Sequence, residues 1–64
     1  MTREMALLTV HNWQVVSESE VERALDAARE NPGRMYQLHL GPKWTAFVEW
    51  SEAGGYTIRQ QASL

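Results

Sequence analysis

His11 and His39 are the two imidazoles of this chain, and either would need partners brought to it before it moved a proton or held a metal. Neither belongs to an H-x-x-x-H or H-x-E spacing, so surface or turn positions are expected for both. Serine and threonine hydroxyls lie near apolar segments, but no G-x-S-x-G elbow is present to expose one as a nucleophile. Glu49 and Glu52 are neighbouring carboxylates. Paired carboxylates need a cleft for acid–base work, and a chain of 64 residues can hardly enclose one. Gly54-Gly55 lacks the lysine and the following helix that give a phosphate loop its anion site. A turn requiring positive φ explains the pair, and Gly41-Pro42-Lys43 reads the same way. The sequence therefore assigns no catalytic residue, no cofactor-binding residue and no metal ligand.

Composition narrows the remaining classes. Residues 1–64 make one small domain, which buries only about 60% of the surface its unfolded chain would expose. With no cysteine, disulfide staples and thiolate zinc sites are excluded. Oligomerisation or a bound partner is the remaining route to extra stability. A net charge of −2, with six Lys and Arg scattered along the chain, gives no reason to expect nucleic acid. No apolar run approaches the roughly 20 residues of a membrane-spanning helix, and no hydrophobic signal core follows Met1-Thr-Arg-Glu. A cytoplasmic protein without membrane attachment is expected.

The elements that would position any site follow from periodicity. Ser17 as N-cap puts Glu20 at N3, the capping-box spacing, and sets Val16 against Val21 as a hydrophobic staple. Ser19 with Glu22 offers a second register. Val21, Ala24, Leu25 and Ala28 then form one narrow apolar stripe, on a helix ending before Asn31-Pro32-Gly33. Ahead of it, Leu7–Val10 and Trp13–Val16 flank His11-Asn12 and read as a hairpin or as one bulged strand. Behind it, Met35–Leu40, Trp44–Trp50 and Tyr56–Gln60 read as a meander.

Parity fixes the meander's registers. In Trp44-Thr-Ala-Phe-Val-Glu-Trp50, Trp44, Ala46, Val48 and Trp50 share one face, while Thr45, Phe47 and Glu49 share the other. Pairing Leu40 with Trp44 sets Leu38 against Ala46 and Tyr36 against Val48. Pairing Trp50 with Tyr56 sets Val48 against Ile58. The large apolar residues of both hairpins then fall on one side, where the helix covers them. The second side carries Met35, Gln37, His39, Thr45, Phe47, Glu49, Thr57 and Arg59. Trp44 and Trp50 belong to the core side, with partial exposure at the sheet ends because buried indole N–H groups need acceptors. Trp13 reads as a lid on the core. Phe47 stands mid-strand on the side without a helix, as a partner's contact residue would.

Two stretches, Trp13–Leu25 and Trp44–Tyr56, carry a further pattern: a Trp-x-Val strand end, then Ser-Glu-x-Glu-Val-Glu-x-Ala-Leu, then Trp-x-Ala-Phe-Val-Glu and a Gly-Gly-Tyr strand. This order resembles the small actinobacterial proteins of the Imm1-type immunity family. The resemblance implies a protein that binds and neutralises a cognate toxin, and it transfers no defined inhibitory residue.

The expected fold is thus α+β: an antiparallel sheet of four or five strands with one helix packed on one face, in the order β(β)αβββ. The expected function is a small non-enzymatic protein-binding module, an immunity or inhibitor protein, acting through the uncovered sheet face. Met35, His39, Phe47 and Arg59 would contact the partner, with Glu49 adding charge complementarity. The alternative is a homodimeric structural subunit joined through that face or an edge strand. A small enzyme or ligand carrier would instead need an enclosed pocket beside His39 or His11.

Overall fold

The structure, a computed structural model, describes residues 1–13, 17–41 and 43–62. It contains two helices, α1 (Arg3–His11) and α2 (Glu18–Glu30), followed by three strands, β1 (Tyr36–His39), β2 (Trp44–Ser51) and β3 (Gly55–Ala62). The strands form one antiparallel sheet in the order β1-β2-β3.

This overturns the expected four or five strands with a single helix. Leu7–Val10, expected as a strand, is the second half of α1, and Trp13 lies in the turn after it. The rest of the expected Trp13–Val16 strand falls outside the described residues. The cause is local. Thr2 is a good N-cap and its Oγ1 accepts from the Met5 amide at 3.2 Å. Glu4 sits in the first turn and His11 in the last, both in favour of the helix dipole. Arg3 to Leu8 is a run of strong helix formers, so the short apolar segment Leu7–Val10 is taken up by a helix already under way. Ala6 and Val10, one turn apart, are fully buried.

Helix α2 starts where expected, with Ser17 as N-cap and its Oγ accepting from the Glu20 amide at 3.4 Å. All four residues of the expected stripe, Val21, Ala24, Leu25 and Ala28, are buried. The capping box is only half built, because the Glu20 carboxylate turns to His39 on β1 instead. The staple residue Val16 lies outside the described residues.

The meander has the registers that parity requires. Leu38 pairs with Ala46 and Tyr36 with Val48, Val48 with Ile58 and Trp50 with Tyr56, and the Leu40 amide donates to the Trp44 carbonyl at 3.2 Å. Leu38, Leu40, Ala46, Val48 and Tyr56 all face the helices and join their buried residues in one core. Three strands about 4.8 Å apart are wider than one helix with a small-sided stripe can cover. α2 packs on β1 and β2, and α1 covers β3. The Tyr56 hydroxyl, buried under the helices, donates to the Leu25 carbonyl at 3.1 Å. Among the described residues no buried side-chain nitrogen or oxygen lacks a partner. No helix among them is long and apolar enough to cross a membrane.

Candidate functional site: the open face of the sheet

Because both helices pack on one side of the sheet, the other side is left without a covering element among the described residues. Alternation along β2 places Thr45, Phe47 and Glu49 on this open side. Phe47 is at its centre. It lies directly opposite Gln37 of β1 and Arg59 of β3, and it is half-buried by those neighbours. Glu49 stands one step along β2, opposite Thr57, and is also half-buried. Arg59 is exposed. Neither Glu49 nor Arg59 belongs to the contacts between basic and acidic side chains found among the described residues, which join the Arg3 guanidinium to Asp26 and the imidazoles of His11 and His39 to Glu18 and Glu20.

Thr45 supplies the rigid floor beside Phe47. Its hydroxyl donates to the Leu38 carbonyl and accepts from the Gln37 amide, each at 3.0 Å. It is the buried polar residue of the sheet, only 6% exposed. Sequence reading placed Thr45 and Gln37 on this face but did not foresee their hydrogen bonding, since the hydroxyl's reach to a neighbouring strand's carbonyl depends on the rotamer.

The five residues singled out in the sequence separate into two groups. Phe47, Glu49 and Arg59 come together on β2 and β3. Met35 precedes β1 and is 60% exposed, at the margin of the same face. His39 is drawn away. Its ring reaches the edge of β1, where Nδ1 lies 2.9 Å from Glu20 Oε1, and its own amide donates to the same oxygen at 3.3 Å. These two bonds, the ring bond foremost, hold the Glu20 carboxyl below its ordinary value. His39 therefore links α2 to the sheet edge, with its side chain still exposed.

Elsewhere the chemistry is sparse. Trp44, on the core parity, is the first residue of β2 and is 47% exposed. Trp50 is half-buried, and the Arg29 guanidinium stacks on it at 4.3 Å. Trp13 is half-buried against the core, as a lid would be. His11 lines a small cleft between the helices with Leu7, Val10, Glu18, Val21 and Glu22, of about 90 Å³. That is well short of the roughly 300–1,000 Å³ of small-molecule sites. The described residues contain no group of three or more side chains able to hold a metal ion.

Comparison with family models, with curated proteins and with solved structures returns no match for this chain.

Proposed function

We propose that this protein is a small non-enzymatic binding module of the immunity or inhibitor kind, which captures a partner protein on the open face of its sheet in the cytoplasm. The observation that carries this reading is Phe47, an aromatic residue paired with Gln37 and Arg59 on a face that no element covers among the described residues. Aromatic residues at the centre of a patch with a charged rim are the usual anchors of protein interfaces. Arg59 and Glu49 offer one charge of each sign beside the ring, both free of ion pairs among the described residues, and so able to steer and orient a complementary surface. Met35 extends the apolar area at the margin. The resemblance to Imm1-type immunity proteins read from the sequence points the same way in its second stretch, Trp44–Tyr56. In its first, Trp13 is in a turn and not at a strand end.

Phe47→Ala tests the reading. Partner capture should be lost while the thermal midpoint shifts little, since Phe47 lies outside the core cluster. A collapsed fold, or unchanged capture, would count against it.

A further inference from the structure

Among the described residues, the outer edge of β3 is paired at Tyr56 and unpaired from Ile58 to Ala62. The Tyr56 amide donates to the Met1 carbonyl at 2.8 Å, and the Met1 nitrogen donates to the Tyr56 carbonyl at 2.7 Å and to the Gly54 carbonyl at 2.9 Å. Both main-chain groups of Tyr56 thus point out of the sheet. Antiparallel ladders alternate, so Thr57, Arg59 and Gln61 turn their main-chain groups to β2, while Ile58, Gln60 and Ala62 turn theirs outward. No described residue bonds to these outward groups. Arg59 to Ala62 are all exposed.

Sheet edges are ordinarily shortened, charged, interrupted by proline or covered. The β1 edge is four residues long, and its His39 amide is taken by Glu20. β3 is eight residues long, and Met1 plugs it only at Tyr56. Ile58–Ala62 contains neither proline nor lysine, and its one charge, Arg59, projects toward the open face. We infer that this edge pairs antiparallel with the same edge of a second copy, across a two-fold axis at Gln60.

Registry selects that occupant. Centred on Gln60, Ile58 meets the second copy's Ala62, Gln60 meets its counterpart, and the outward groups of Ile58, Gln60 and Ala62 are all used, giving about six main-chain bonds. Arg59 then lies opposite Gln61, whose amide oxygen can accept from the guanidinium. Centring on Arg59 would set two guanidinium groups face to face. Centring on Ile58 would drive Gln60 onto Tyr56, where Met1 already sits. Centring on Gln61 uses only Gln60 and Ala62 among the described residues, for fewer bonds. The two three-stranded sheets become one continuous sheet, and their open faces, each with its Phe47, become one surface. This inference stands on the edge and not on the open face, so it survives or fails separately from the binding reading.

Sedimentation equilibrium of the full chain from micromolar to near-millimolar concentration tests it. The mass should rise from 7.3 kDa toward twice that value. Gln60→Lys, which sets like charges opposite each other, should raise the dimer dissociation constant at least about tenfold. Gln60→Pro removes an outward amide without touching the bonds to β2, and should be monomeric with its circular dichroism retained. In a chain without cysteine, Gln60→Cys should cross-link to a covalent dimer under mild oxidation faster than Arg59→Cys. Phe47→Ala should dimerise like the unaltered chain. A 7.3 kDa species at the highest concentration, or a Gln60→Lys chain that dimerises undiminished, overturns the inference.

Discussion

Gly55 shows how much of this fold hangs on single atoms. Its φ is +70°, and a Cβ there would stand 2.5 Å from the Met1 carbonyl oxygen that accepts from Tyr56. Gly55→Ala should therefore combine left-handed strain with loss of the Met1 bonds, lowering stability by about 2–3 kcal/mol. Gly54→Ala meets only Ser51 Oγ at 3.6 Å, an ordinary contact, and should change stability by less than about 0.5 kcal/mol. Thermal unfolding of the two variants side by side checks this. The sequence showed that the glycine pair was a turn. It did not show which glycine was constrained, because the constraint comes from Met1, more than fifty positions away. Glu20 is a second residue-scale case. Its carboxyl is held below the ordinary value by the His39 ring and amide, so the stability it adds is complete above the unfolded value, about 4.3, and is lost as pH falls through the lower folded value. Glu20→Gln should be less stable than the unaltered chain at neutral pH, and the gap in urea midpoint should narrow as the solution is acidified through that range.

At the scale of elements, legibility followed the length of the signal. The meander was readable to the residue pair because strict alternation in Trp44–Trp50 leaves one register that keeps the apolar residues together. α2 was readable from Ser17 and its stripe; Ser17→Ala should cost about 1 kcal/mol, measured by chemical denaturation, and Ser19→Ala much less. α1 was missed because Leu7–Val10 alone is too short for helix and strand periods to differ. The signal that was present, Thr2 as a cap ahead of Arg3 to Leu8, lies upstream of the apolar run. α1 adds a second helix on the side already expected to be covered, over β3, and leaves the open face as read, since that face was fixed by parity in the strands.

The described residues form a half-sandwich: two helices against one side of a three-stranded sheet, with Phe47, Glu49 and Arg59 displayed on the other. Of the five residues read from the sequence as a binding group, these three come together. Met35 flanks them, and His39 is diverted by a carboxylate that its own strand could not reveal. The buried core lies on the helix-covered face. Leu38→Ala, in the core at 0% exposure, should cost about 2–5 kcal/mol, whereas Phe47→Ala should cost only about 0.2–0.5 kcal/mol, the low end for a cross-strand pair. The measurement that bears most directly on the open face as a binding surface is quantitative capture from host extract with four baits: the unaltered chain, Phe47→Ala, Arg59→Glu and the helix-surface control Glu22→Ala. The account predicts a protein retained by the unaltered and control baits and lost from the other two, with all four baits folded. Retention of the same protein by Phe47→Ala and Arg59→Glu at undiminished yield would contradict it.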